Sequence, residues 1–370
     1  MNPLSIKDGG RRWLTTVGTN PPSTVLSVDD GITADEAFRL ATIGTALAWH
    51  GDFPNARNLL GAMSRRYDSK SGSAAGKPFQ DQRKHQARRA RILGRLLVPL
   101  DAGHVLPLRR GPDVRVACTE AYGPSQDASL VSLRELLGVV GAHEWRVKGV
   151  EIPALGSKIH PHHGVFSPVR GEYVDLVART PLPSTELAFD IGTGTGVLAA
   201  VLARRGVKRV VATDNEPRAL ACARENFERL GFRGIETVET DVFPPGRAPL
   251  VVCNPPWLPA RARTPLERAV YDPGSRMLHA FLDRLPRHLE PGGEAWLILS
   301  DLAELLGLRT REHLLSAFAR SGLQVVGREE TRPVHRRATD PSDPLHAARA
   351  AEVTSLWRLR TAQRPSSARA

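Results

Sequence analysis

Between Leu187 and Leu299 the chain alternates short apolar runs with helical stretches, and its first strand-to-helix junction reads Asp190-Ile191-Gly192-Thr193-Gly194-Thr195-Gly196. Few folds accommodate both features. The runs Leu187–Ile191, Arg209–Thr213, Ile235–Glu239, Leu250–Cys253 and Glu294–Leu299 read as buried strands, with helices expected near 196–205, 217–230, 275–289 and 310–321. Such alternation predicts an α/β fold built on a doubly wound, mostly parallel sheet. Leu323–Arg328 and Glu352–Leu359 are two more strand-like runs, joined by a polar segment with no convincing crossover helix. They are expected to close a seven-stranded sheet as an antiparallel pair.

The glycine-rich junction points to a ligand. Glycines let the backbone turn tightly and approach a bound molecule, and the helix N-terminus offers free N–H groups. A dinucleotide site expects G-x-G-x-x-G. Here Val197 stands at the third glycine, the spacing is G-x-G-x-G, and Asp190 precedes the first glycine by two residues. Asp214, at the end of the second strand, can accept hydrogen bonds from both hydroxyls of a ribose; the plain alternative is a helix cap. Asp241, after the third strand, is placed to meet an adenine edge.

With these residues the chain resembles the class I S-adenosylmethionine-dependent methyltransferases over about 160–360. The resemblance implies S-adenosylmethionine as cofactor. Asp190, Gly192, Thr193, Gly194 and Gly196 would pack against its methionine portion, Asp214 would bind the ribose, and Asp241 would lie by the adenine amino group. Val251-Val252-Cys253-Asn254-Pro255-Pro256-Trp257 then sets the reaction class. It lies at the carboxyl end of a strand, where open α/β sheets place their sites, and looks like the N-P-P-aromatic motif of methyltransferases acting on planar amino or amide nitrogens. Such a nitrogen is a poor nucleophile because its lone pair is delocalised. The Asn254 side-chain oxygen and the Pro255 carbonyl would accept its two hydrogens and favour a tetrahedral geometry. Pro256 shapes the loop, and Trp257 would stack on the target. Asn254 borders the cofactor as well. Positioning and electrostatics would carry the catalysis, with no strong general base. Gly164-Val165-Phe166-Ser167 also resembles a segment of the "small-domain" methyltransferases, making Phe166, Arg170 and Asp175 candidates for a wall over the cofactor.

The 370 residues carry 51 Lys+Arg against 39 Asp+Glu, a net charge of +12. Residues 1–150 hold 21 cations and 14 anions, residues 151–330 hold 22 of each, and residues 331–370 hold 8 and 3. The excess therefore sits in the flanks, including the C-terminal segment around Arg332, Arg336 and Arg337, and suggests an anionic partner. Three scattered cysteines exclude a disulfide framework or a CxxC zinc site, and the histidines at 160, 162 and 163 lack further ligands at metal spacing, so no metal is expected. Cys253 reads as a packed strand residue. No apolar run is long enough to span a membrane, and the N-terminus lacks a signal-peptide pattern, so a cytoplasmic protein with no membrane partner is expected.

Three regions are expected: residues 1–150 as a basic, mixed α+β accessory or substrate-recognition domain, 151–361 as the methyltransferase domain, and 362–370 as a disordered tail. Residues 1–30 are expected to be loosely ordered. Helices are expected at 34–50, at Pro54–Tyr67, at 79–95 with a cationic face, and at Val131–Val140. A linker is expected over 69–76, a hairpin over Leu96–Leu108 and a strand at Glu144–Ile152. The leading expectation is N-methylation of an exocyclic amino group in a nucleic acid, RNA ahead of DNA. A protein glutamine amide, a small molecule and a non-enzymatic binding role are the alternatives.

Overall fold

The computed structural model describes residues 10–72, 76–169, 171–334, 340–341 and 343–362. They divide into two compact units, Met1–Val147 and Lys148–Ala370.

In the first unit, β1 (Arg12–Leu14) and β2 (Val25–Val28) precede α1 (Ala34–Thr42), β3 (Ala46–Trp49), α2 (Phe53–Ser71), α3 (Phe79–Leu93), β4 (Leu96–Leu100), α4 (Arg115–Tyr122), β5 (Ser129–Ser132) and α5 (Leu133–Lys148), whose last residue falls in the second unit. The sheet order is β1-β5-β4-β3-β2. β2, β3 and β4 run parallel, whereas β5 is antiparallel to β4 and parallel to β1.

Several expectations fail here. The helix expected over 34–50 ends at Thr42, because Gly44 turns the chain at φ 103° and Ala46–Trp49 enters the sheet. Leu47 and Trp49 pack on one face of that strand, Ala46 and Ala48 on the other. A strand buried on both faces reads as a continuous apolar run, which imitates a helix in sequence. The hairpin is absent: β4 pairs with its two sheet neighbours, and residues 102–104 form a 3-10 turn closed by a lone Asp101–Val105 bridge. Val131 belongs to β5, and helix rather than strand occupies 144–148. Residues 10–30 contain two strands, and the expected linker is helical to Ser71, with 73–75 outside the described residues.

The second unit opens with the hairpin β6 (Val150–Ile152) and β7 (Ser157–Ile159), then α6 (Glu172–Arg179). Next come β8 (Leu187–Ile191), α7 (Val197–Arg204), β9 (Arg209–Asp214), α8 (Pro217–Leu230), β10 (Ile235–Glu239) and β11 (Ala248–Cys253). After a long loop follow α9 (Arg276–His288), β12 (Leu289–Ser300), α10 (Leu302–Leu305), α11 (Arg311–Arg320), β13 (Leu323–Thr331), α12 (His346–Ala351) and β14 (Thr354–Thr361). The seven strands lie in the order β10-β9-β8-β11-β12-β14-β13. The first five are parallel, and β14 is antiparallel to both β12 and β13, so the terminal pair is as expected.

Both faces of this sheet are covered. Along β11, Leu250 and Val252 enter the core beneath α6 and α7, while Val251 and Cys253 enter the opposite core beneath α9 and α11. The order reverses between β8 and β11, and at such a switch point the loops diverge to leave a crevice at the carboxyl ends of the strands. The expected tail lies outside the described residues from 363 onward, as do Arg336 and Arg337. No helix among the described residues is long and apolar enough to cross a membrane.

Candidate functional site

Two adjacent strands deliver the site. Ile191 of β8 stands opposite Cys253 of β11, so the glycine turn and the Asn254 loop leave the sheet side by side.

Gly192, Gly194 and Gly196 all have positive φ, at 72°, 55° and 81°. Their surroundings differ. A Cβ on Gly196 would lie 2.5 Å from the Phe227 ring, so this glycine permits α8 to pack against the turn. A Cβ on Gly194 would meet nothing within 4 Å, which leaves open space above the turn. The turn is braced from below: the Thr193 hydroxyl donates to Asp190 Oδ2 at 2.7 Å, the Ala199 N–H donates to the same oxygen at 3.1 Å, and the Thr193 N–H donates to the Thr213 carbonyl at 2.7 Å. Asp190 and Thr193 are both buried, and these contacts make them struts of the turn.

Burial pushes the Asp190 carboxyl up to about 6, against the opposing pull of its two hydrogen bonds. The folded chain thus binds a proton more tightly than the unfolded one. Stability from this group is fully present below the ordinary carboxylate range and is lost as pH rises from about 4 through 6. Asp190→Asn keeps an acceptor oxygen for both donors and removes the titration. The unfolding free energy of the wild type minus that of the variant should therefore fall by up to about 1.4 kcal/mol per pH unit across that window and be flat above it. Urea titrations at pH 4.5, 5.5 and 7.5 check this; a difference that rises with pH would overturn it.

Asp214 is held on both oxygens: Oδ2 accepts from the Gly194 N–H and Oδ1 from the Glu216 N–H, each at 3.0 Å. Desolvation raises its carboxyl pKa above the ordinary value, with the bonds from Gly194 and Glu216 pulling the other way. These are turn bonds and not a helix cap, since the N-cap of α8 (Pro217–Leu230) is Glu216 and has no side-chain capping bond; each oxygen keeps a second lone pair for a ligand. Thr240 N–H donates to the Asp214 carbonyl and Thr213 Oγ1 to the Val242 carbonyl, which brings the segment carrying Asp241 alongside. Asp241 itself is exposed and lies 3.6 Å from Arg284.

In the Asn254-Pro255-Pro256-Trp257 loop the indole N–H of Trp257 donates to Asn254 Oδ1 at 2.8 Å. Pro255 is buried, and Trp257 is half-buried and packs against both cores of the unit. Trp257 therefore orients Asn254, a part that sequence reasoning missed because neither residue type nor spacing signals that bond. Cys253 is fully buried, and burial raises its thiol pKa well above the ordinary value, as suits a packed residue. Beyond the tetrad, Leu258 bridges to Tyr271, and the buried Asp272 accepts from the Met277 and Leu278 N–H groups at the start of α9. Arg268 pairs with Glu216 at 3.0 Å, which ties this loop to the segment beside Asp214.

Asn226 is a second buried residue that sequence reasoning missed. Its Oδ1 accepts from the His160 N–H at 2.8 Å, and its Nδ2 donates to the Thr195 carbonyl at 3.1 Å. It thereby joins the glycine turn to the 160–167 segment. His162 pairs with Glu225 at 2.7 Å and His163 contacts Arg218, so the three histidines spread along α8. Among the described residues no cluster of three metal-ligating side chains exists. Val165 packs on Ala219 and Cys222, and Gly164 approaches Pro265 of the loop after the tetrad. Asp175 lies within α6, and Arg170 is outside the described residues.

Residues 156–305 match the family model described as the methyltransferase small domain. A protein of Methanocaldococcus jannaschii, provisionally described as a protein N5-glutamine methyltransferase, is 28% identical over 161 residues, covering 41% of this chain and 80% of that one. A release factor glutamine methyltransferase of Geobacter sulfurreducens is 33% identical over 189 residues, covering 47% and 62%. A ribosomal protein L11 methyltransferase of a Chelativorans species is 32% identical over 201 residues, covering 53% and 62%. The chain thus spans less than two thirds of the length of the latter two.

Proposed function

We propose that the chain transfers a methyl group to a planar amide nitrogen, the side-chain carboxamide of a glutamine in a protein, with its second unit serving as a class I S-adenosylmethionine-dependent methyltransferase domain of the small-domain type. The observation that carries the reading is Asn254, fixed by Trp257 beside an open glycine cradle. The relatives, described as glutamine and ribosomal-protein methyltransferases, support the amide over the nucleic-acid base that sequence alone ranked first.

The residues present fit the cofactor. The space above Gly194 admits its methionine portion, and the doubly anchored Asp214 offers lone pairs to two ribose hydroxyls, with Asp241 towards the adenine. S-adenosylmethionine supplies, when bound, a methyl group on a positively charged sulfur that leaves as a neutral thioether. Asn254 Oδ1 accepts one target N–H on the lone pair that Trp257 leaves, and the Pro255 carbonyl accepts the other. Together they turn the nitrogen lone pair out of conjugation and towards the methyl carbon. Pro255 and Pro256 limit the loop's freedom, so little reorganisation is needed as charge develops. The newly methylated nitrogen sheds its extra proton to solvent.

The net charge of +7 on residues 1–150 favours a second reading, an exocyclic amino group of an RNA base. One experiment separates them. Cell extract is incubated with tritiated S-adenosylmethionine and the full chain, then divided into protein, RNA, DNA and small-molecule fractions. Label in protein, recovered as N-methylglutamine after complete enzymatic digestion, is expected. Label confined to RNA would replace the first reading with the second, and label in neither would refute both.

A further inference from the structure

In the first unit, α1, α2, α3 and the residues just before α3 line an open cavity of about 710 Å³. Among the described residues its lining carries five permanent cations, Arg39, Lys70, Lys77, Lys84 and Arg88, together with His85, and no carboxylate. Of the acidic groups on these helices, Asp35, Asp68 and Asp81 pair with Arg66 at 2.6 Å, Arg89 at 2.9 Å and Lys84 at 3.0 Å, and Glu36 stands in the first turn of α1 outside the lining. Arg39, Lys77 and Arg88 have no carboxylate within 4.0 Å among the described residues. Lys84 is paired with Asp81 and Lys70 acts on Asp35, which leaves Arg39, Lys77 and Arg88 to repel one another around the concavity.

The floor is of another character. Phe38, Ile43, Tyr67 and Ile92 supply apolar and aromatic surface, with the Lys70 ammonium 5.2 Å from the centre of the Phe38 ring. The His85 ring lies 5.0 Å from that of Tyr67, whose hydroxyl donates to the His85 carbonyl at 3.0 Å. His85 Nε2 is buried without a hydrogen-bond partner. A buried ring nitrogen with no partner is costly, and a polar ligand atom would satisfy it.

We infer that this cavity binds a phosphorylated nucleoside, with its phosphates among Arg39, Lys77, Lys84 and Arg88 and its planar base towards His85 and the apolar floor. The volume lies in the range of small-ligand sites, and guanidinium forks match phosphate geometry. An acidic peptide would satisfy the cations but offers neither a planar group for the floor nor a ring-edge polar atom for His85. The same chemistry could be presented by a free nucleotide or by one nucleotide of an RNA strand. The inference does not depend on which nitrogen the second unit methylates.

The test uses the full chain and direct binding, so it is read without methyl transfer. ATP is titrated by calorimetry, and a labelled oligoribonucleotide and a poly-glutamate peptide by fluorescence anisotropy. The Arg39→Glu/Arg88→Glu double variant is compared with Arg57→Glu/Arg91→Glu, which makes the same charge change at exposed residues of α2 and α3 outside the lining. Thermal melts confirm that both fold. The first pair should weaken nucleotide binding at least about tenfold, and the second should change it less than about twofold. His85→Ala, which leaves the cations in place, should weaken it severalfold. Equal affinity for ATP and a strand identifies a free nucleotide as the ligand, and much tighter binding of the strand identifies RNA; both support the site. Equal loss in the two double variants, tighter binding of poly-glutamate, or no binding of ATP or RNA would overturn it.

Discussion

Asn254→Ala is expected to lower kcat for methyl transfer by about 10² to 10³-fold while leaving the Kd for S-adenosylmethionine within about twofold. On the role proposed for Asn254, the alanine removes the side-chain oxygen that would turn a conjugated nitrogen into a nucleophile, and it leaves the glycine turn and Asp214 untouched. The bond from Trp257 to Asn254 Oδ1 adds a graded companion. Trp257→Phe retains the ring but not the N–H donor, so the carboxamide can rotate. That variant should lose about tenfold in kcat with a smaller change in KM, since the oxygen remains and only its aim is relaxed. Rapid-quench transfer assays and calorimetric titration of the cofactor read both effects. An Asn254→Ala enzyme with the kcat of the wild type would refute the assigned role. A Trp257→Phe enzyme altered only in KM would show that the indole serves to bind the target, not to aim Asn254.

Two glycines separated by a single residue, Gly194 and Gly196, should respond to alanine in different ways. At Gly196 the new methyl group would sit 2.5 Å from Phe227 and 3.2 Å from Ala223 Cβ, on a backbone at φ 81°. The left-handed conformation costs about 1–2 kcal/mol, and crowding the α7–α8 contact costs about 1–3 kcal/mol more. Gly196→Ala should therefore lose about 3 kcal/mol of stability in urea unfolding. At Gly194 the methyl group projects into open space on a backbone at φ 55°, so only the conformational cost of about 1–2 kcal/mol applies. Gly194→Ala should instead lose cofactor affinity, by tenfold or more, because the methyl group fills the volume assigned to the methionine portion. Equal stability losses with undiminished cofactor binding in both variants would remove Gly194 from the cradle.

Strands β8, β9 and β11 were legible because each is a short apolar run that parallel pairing buries on both faces. Leu187–Ile191 and Ile235–Glu239 are found at the bounds expected from sequence. The same logic failed at Ala46–Trp49, where four apolar residues after an amphipathic helix carry no period of their own. The glycine turn and the Asn254 tetrad were legible because their residue types are chemically constrained in sequence. Asn226 and Asp272 were not: each is a polar residue whose importance comes from burial against segments distant in the chain. The bond between Trp257 and Asn254 was hidden for a related reason, since it depends on loop geometry.

The pairing of Ile191 with Cys253 has a consequence for how such a domain can diversify. Donor turn and acceptor loop leave neighbouring strands at one level, so the spacing between methyl donor and target nitrogen is a property of the sheet. The stretch from Leu258 to Ser275 returns to the start of α9, where Asp272 accepts from the first N–H groups, and keeps one tie to the cofactor side through Arg268 and Glu216. Its length and chemistry can be rewritten to admit a different target, as in exchanging the jaws of a tool on an unchanged handle, while the distance over which the methyl group travels is inherited intact.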